Sequence, residues 1–307
     1  MPISTEKNFE EKFNLFKEWL TQQDNFTSKD MIITANESSL ASGFSNETFI
    51  FNIKEKNISK NYVLRLKPSN YQVFPEYNLK LQVDIMRCLH KRGFPAPNVI
   101  LYESNDDILG SEFYLMDFIN GEAPSDNPPY HMDPEGMVGK ASKDERRKIW
   151  TEWLNYLSQI HIINIDEINL NILDDKYRNN DPIDIDISYY QNFLDWGMDG
   201  EDNPLCNDVI KWLRENKPKK HNALSLCWGD SRPGNILYQD FKATALLDWE
   251  MATYGDPISD IAWGLAVDDA SSIGLTIDRL EGSMEYNEAL DIWSKKTGFS
   301  IDNYDYY

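Results

Sequence analysis

The segment LCWGDSRPGNILYQD, Leu226 to Asp240, sets Asp230 five positions ahead of Asn235 with Arg232 between them, and ATALLDWE places Asp248 thirteen positions beyond Asn235. A loop with this spacing can hold a carboxylate against a nucleophile while the amide oxygen of Asn235 faces a cation. Asp248, closing a short apolar run, can share that cation. Hard oxygen ligands of this kind suit Mg²⁺, which takes one or two protein groups and completes its shell with phosphate oxygens and water. These residues therefore have the parts for phosphoryl transfer. Each also has a structural reading, because Asp and Asn close turns and strand ends, but three of them at this spacing favour catalysis.

Elements that could position the set are legible on both sides of it. ETFIFNIK alternates Phe49, Phe51 and Ile53 with polar neighbours, and NYVLRLK and EFYLMDFI are two further β-branched and aromatic runs. Between the last two, Glu76 to Leu89 carries Leu81, Ile85, Met86 and Leu89 on one helical face and stops at Gly93 and Pro95. The stretch from Asn120 to Lys143 is rich in Gly, Pro and Asp and reads as a long loop after a hinge. Beyond it Trp150, Trp153, Leu154, Leu157, Ile160 and His161 follow helical spacing, with His161 read as a core histidine.

The 307 residues are 41% hydrophobic and carry a formal net charge of −21. That balance excludes a phosphate backbone as partner, since nucleic acids are bound by clustered Lys and Arg. Cys88, Cys206 and Cys227 lack metal or disulfide spacing, so buried thiols in a reducing cytoplasm are expected. The N-terminal twenty residues form an amphipathic helical pattern without the order of a signal peptide, and no apolar run is long enough to span a membrane.

The pattern D-x-x-P-x-N followed by a strand ending in Asp resembles the catalytic centre of kinase-like folds. More closely, the chain resembles the aminoglycoside phosphotransferase and choline kinase superfamily, whose signature runs H-G-D-x-x-x-x-N and then D-[WF]-E. Here the residues are Trp228-Gly229-Asp230 through Asn235, then Asp248-Trp249-Glu250, and YGDPISDIAW, Tyr254 to Trp263, resembles the family's G-D-P-x-x-D-L-A. The resemblance implies an α+β, bilobal protein-kinase-like fold. A small N-terminal sheet-plus-helix lobe, 1–119 with the hinge, would bind nucleotide, and a larger, mainly helical lobe, 120–307, would hold the catalytic loop and substrate.

It also implies roles. ATP and Mg²⁺ would be bound, and a small hydroxylated molecule would accept the γ-phosphoryl group. Asp230 would be the base, Arg232 would assist at the γ-phosphate, and Asn235 and Asp248 would hold Mg²⁺. Ser45 and Asn46 in SGFSNETF resemble the phosphate-covering hairpin, Arg65 in YVLRLK takes the place of the phosphate-binding cation, and Glu76 in FPEYN that of its helix partner. Met116, Asp117, Phe118 and Ile119 in YLMDFINGE resemble the hinge, with the backbone of Asp117 and Ile119 bonding adenine.

Three features depart from the family. Trp228 replaces the loop-supporting His, Arg65 replaces Lys, which is not an equivalent exchange, and SIDNYDYY ends at what reads as the first turn of a helix where family members continue. The first two motivate an alternative, a nucleotide-binding pseudokinase without transfer activity. Within the superfamily the chain looks more similar to the subgroup of kinase domains attached to acyl-CoA dehydrogenases, which implies hydroxyacyl acceptors. The acidic tract from Asp174 to Asp202 reads as a solvated, mobile insertion or as a surface for an amino sugar or another cation.

Overall fold

The computed structural model of the protein describes residues 6–26, 30–35, 46–68, 72–165, 177 and 180–307. Its contacts divide the chain into two units, Met1–Arg87 with Pro97–Phe118, and Cys88–Ala96 with Ile119–Tyr307. Residues 88–96, the end of a helix and the turn after it, and Ile119 fall in the second unit.

In the first unit the three alternating runs form strands β2 (Glu47–Glu55), β3 (Ile58–Leu66) and β5 (Phe113–Asp117), and two strands not read from the sequence, β1 (Met31–Ala35) and β4 (Val99–Glu103), join them. They make one antiparallel sheet in the order β1-β2-β3-β5-β4. Alternation turns Phe49, Phe51 and Ile53 to the same face, where all three are buried. Helix α1 (Glu6–Leu20) covers that face, setting Phe16 5.0 Å from Phe51 and Trp19 4.8 Å from Phe113 between ring centroids. Each aromatic ring so buried contributes about 1.5–3 kcal/mol.

Helix α2 (Leu79–Lys91) starts later than the apolar spacing suggests. Asn78 stops it, because its Oδ1 accepts the N–H of Leu81 at 2.9 Å and so satisfies a first-turn donor. Glu76 consequently lies ahead of the helix and is exposed.

The second unit contains α3 (Met137–Lys140), α4 (Lys143–His161), α5 (Pro182–Met198), α6 (Pro204–Glu215), α7 (Ile258–Ala270) and α8 (Tyr286–Thr297). Two antiparallel strand pairs complete it: β6 (Ser225–Cys227) with β9 (Thr253–Gly255), and β7 (Ile236–Gln239) with β8 (Lys242–Leu246). A Ser142–Glu145 capping box opens α4, whose Trp150, Trp153, Leu154 and Leu157 are fully buried.

Two expectations need correction here. The 120–143 stretch is irregular outside α3 but packed: Glu122 bridges to Tyr238, and Tyr130, His131 and Val138 are buried. Its Gly and Pro content governs backbone shape and says nothing of burial. The acidic tract is helical over residues 182–198, which form α5; Asp181 caps it and pairs with Lys217 at 3.1 Å. Asp174 lies outside the described residues. The cysteines are unbridged, Cys227 fully buried and the other two partly so. Among the described residues no helix is long and apolar enough to cross a membrane.

Candidate active site

The loop after β6 is set by backbone geometry. Gly229 has φ 87°, in the left-handed region, and a Cβ there would lie 2.0 Å from the carbonyl oxygen of Met251. Only glycine fits between Trp228 and Asp230. The N–H groups of Trp228 and Gly229 both donate to the carboxylate of Asp260 on α7, at 2.6 and 2.8 Å. Asp260 also accepts from His161 Nε2 at 3.0 Å, and Trp293 Nε1 donates to His161 Nδ1 at 2.9 Å. That pairing requires the Nε2–H tautomer of His161. A buried relay from α8 through α4 and α7 thus fixes the two residues before Asp230.

Asp230 itself is gripped by side chains. Asn235 Nδ2 donates to its Oδ2 at 2.7 Å and to its backbone oxygen at 2.8 Å, Arg232 Nε lies 3.1 Å from both carboxylate oxygens, and Trp263 Nε1 donates to Oδ1 at 2.7 Å. Trp263 remains 40% exposed, so its indole both steers the carboxylate and shows a face to solvent. The other edge of the Arg232 guanidinium is bidentate on Asp126, with Nη2 to Oδ2 at 3.0 Å. Burial opposes the guanidinium charge, but the hydrogen bond to Asp126 and the charges of Asp230 and Asp126 outweigh it and raise the Arg232 pKa.

Asn235 and Asp248 stand at the open end of the β7–β8 hairpin. Leu247 N–H donates to the carbonyl of Asn235 at 2.9 Å, next to Asp248, which has φ 63°. Trp228 secures the other side: its Nε1 donates to the carbonyl oxygens of Leu247 at 2.9 Å and Asp248 at 3.1 Å, and its ring stacks on Trp249 at 5.0 Å and 16°. The departure at Trp228 therefore keeps the loop anchored, with an indole N–H as the donor. Because Asn235 Nδ2 is committed to Asp230, its Oδ1 is the atom that can face a cation, and the Asp248 carboxylate at the other side of the hairpin's open end is the second hard-oxygen donor of the kind Mg²⁺ takes. Among the described residues no cluster of three or more His, Cys, Asp or Glu side chains is arranged to hold a metal alone.

The remaining expected residues lie in the first unit, apart from Ile119, which opens the second stretch of the second unit. Asn46 is buried at the head of β2, and Ser45 lies outside the described residues. Arg65, half-buried on β3, stands in register with Thr48 and Tyr114. Glu76 forms no ion pair with Arg65, since it precedes α2 instead of riding on it. Met116 and Asp117 end β5, where the N–H of Asp117 donates to Asn98 at 3.1 Å and that of Phe118 to Asn61 at 3.4 Å. The backbone N–H groups of Asp117 and Phe118 are thus both engaged within the first unit. Sequence reasoning missed Asp126, hidden in the Gly- and Pro-rich stretch, and gave no role to Asp260 and Trp263 although both stand in the quoted YGDPISDIAW.

Human acyl-CoA dehydrogenase family member 11 is 28% identical over 228 residues, covering 72% of this chain and 26% of the relative, so the chain spans about a quarter of that relative's length. Among solved structures, an aminoglycoside phosphotransferase homologue from Ralstonia eutropha superposes with a TM-score of 0.63 at 18% identity, over 93% of this chain and 80% of that one. The streptomycin–ATP ternary complex of APH(2″)-IIa gives 0.55 at 16%, over 93% and 82%. The fold is protein-kinase-like. The phosphotransferase enzyme family profile matches residues 37–290, which span the whole candidate site, and the chain belongs to that family.

Proposed function

We propose that the chain transfers the γ-phosphoryl group of ATP to a hydroxyl of a small molecule. The observation that carries this reading is the Asp230 carboxylate, fixed by Asn235, Arg232 and Trp263 on a loop tied through Trp228 to Asp248. In this reading Asp230 orients the acceptor hydroxyl and takes its proton as the oxygen attacks phosphorus. Asn235 Oδ1 and the Asp248 carboxylate hold Mg²⁺, which, when bound, neutralises charge on the phosphates.

Arg65 serves the α- and β-phosphates without help from Glu76. Asn46, with Ser45 before it, covers the phosphates, and the backbone from Met116 through Asp117 and Phe118 to Ile119 receives adenine. ATP as donor is supported by the ternary complex of a protein with this fold. The indole anchor at Trp228 favours transfer over the pseudokinase alternative, because the loop support that the substitution put in doubt is present.

The test compares wild type with Asp230→Ala for MgATP turnover across a panel of hydroxylated compounds. Turnover falls about 10³-fold in the variant, within the range for losing a general base, while MgATP still raises Tm, as a ligand of the folded state must. Turnover that ignores Asp230, or a Tm unmoved by MgATP in the wild type, would end the reading.

A further inference from the structure

The family resemblance assigns Arg232 to the transferring phosphate, yet its guanidinium is already committed on both edges. Nε serves Asp230, at 3.1 Å from each carboxylate oxygen, and the two terminal nitrogens serve Asp126 in a fork-to-fork pair. Such a pair fixes the plane of the guanidinium as well as its position. With that plane fixed, the Nε–H can point only at Asp230.

The surrounding chain is shaped for this arrangement. A Cβ on Gly234 would come within 2.5 Å of Arg232 Nη1 and 3.2 Å of Asp126 Oδ1, so the fork occupies the space that the glycine leaves open. Asp126 is held by its own segment, through the Asp126–Pro129 bridge on one side and the Glu122–Tyr238 bridge on the other. Downstream, Tyr130 and His131 are moored on the buried Asp268. The segment therefore brings a carboxylate to Arg232 from 106 positions away.

We infer that Asp126 is a positioning residue for phosphoryl transfer: by holding the Arg232 fork it aims the Nε–H that locks the Asp230 carboxylate. Arg232 then acts through Asp230 and not on phosphate. The inference rests on the phosphotransfer reading for its catalytic consequence, and on the geometry alone for the placement.

The experiment measures steady-state MgATP hydrolysis, with water as acceptor, and the side-chain ¹⁵N–¹H resonance of Arg232 Nε. Asp126→Ala, Arg232→Ala and Gly234→Ala each lower kcat about tenfold and leave the KM for MgATP within about twofold, because misplacing a reacting group costs rate and not ground-state binding. The Asp126→Ala/Arg232→Ala double variant is no slower than either single one, as expected for residues acting as a unit. Asp126→Glu recovers part of the rate, which a merely structural role for this half-exposed residue would not require. In the wild type Arg232 Nε–H gives a slowly exchanging resonance that Asp126→Ala abolishes.

Two results would overturn the inference. One is an unchanged kcat in Asp126→Ala with the Nε–H resonance intact. The other is a large rise in KM for MgATP in Arg232→Ala with a fall in Asp126→Ala, which would make Arg232 a phosphate ligand restrained by Asp126. If wild-type protein turns over no MgATP and gains no stability from it, the phosphotransfer reading fails separately. The placement is then decided by the Arg232 resonance alone.

Discussion

Asp260 and Asp268 lie eight residues apart on α7, each 1% exposed and each 3.0 Å from a histidine Nε2. Their remaining partners differ. Asp260 spends its oxygens on the backbone N–H groups of Trp228 and Gly229, directly before Asp230. Asp268 takes Tyr130, His131 and Arg279, and Leu280 N–H completes His131 through Nδ1 at 3.2 Å. One buried acid shapes the candidate active loop, and the other joins the 120–143 segment to the chain beyond α7. The same residue type, burial and histidine pairing thus support the candidate active loop at one place and the packing of an irregular segment at the other, and the remaining partners tell them apart.

Asp260→Asn breaks the comparison on its catalytic side. The amide presents a donor where two backbone N–H groups and a histidine need an acceptor, so the loop shifts. A displacement near 1 Å at the reacting groups costs about 10²-fold in rate, readable as kcat for MgATP turnover.

Asp268→Asn breaks it on the architectural side. Removing one partner of a buried ion pair costs about 3 kcal/mol, measured by urea unfolding, and turnover per folded molecule falls less than in Asp260→Asn, because Asp268 reaches Asp230 only indirectly, through the 120–143 segment, Asp126 and Arg232. The pH dependence sharpens the contrast. Burial would raise the Asp268 carboxyl, but hydrogen bonds from His131 and Tyr130 and the charge of Arg279 hold it below its ordinary value. A lowered folded pKa gives stability that is present above the unfolded value, about 3.9, and is lost as pH falls through the folded one. Wild-type stability therefore drops in acid below about pH 4, and Asp268→Asn removes part of that drop.

Trp228→Phe has the smallest effect of the three. It keeps the ring on Trp249 and the backbone N–H on Asp260 but deletes the indole donor to Leu247 and Asp248. A lost neutral hydrogen bond is worth about 1 kcal/mol. Kinetics on this variant separate the two anchors of the loop: a rate close to wild type assigns loop placement to Asp260 alone.

How far all this could be read in the sequence depended on distance along the chain. Strands β2, β3 and β5 and the helix bearing Trp150 and Trp153 followed from local periodicity. Asp230, Asn235 and Asp248 stood out because one hairpin joins them, so their spacing is local too. Asp126 was invisible for the opposite reason, its partner being 106 positions away with no periodicity linking them. Glu76 was misplaced onto a helix because apolar spacing registers a helix face and not its cap, and Asn78 decided the start. At Trp228 the sequence shows only the imidazole that is absent, whereas the indole N–H reaches the two carbonyls that anchor the loop.

The Trp228–Trp249 stack has an optical consequence. Two indoles stacked 5.0 Å apart couple their electronic transitions, so the pair contributes to the far-ultraviolet circular dichroism an exciton couplet whose sign and size follow the angle between the two in-plane transition moments. One ring belongs to the segment carrying Asp230 and the other follows Asp248, so the couplet reports whether these segments are in register. The integrity of the candidate active site can thus be followed by its chirality alone, before any acceptor is known.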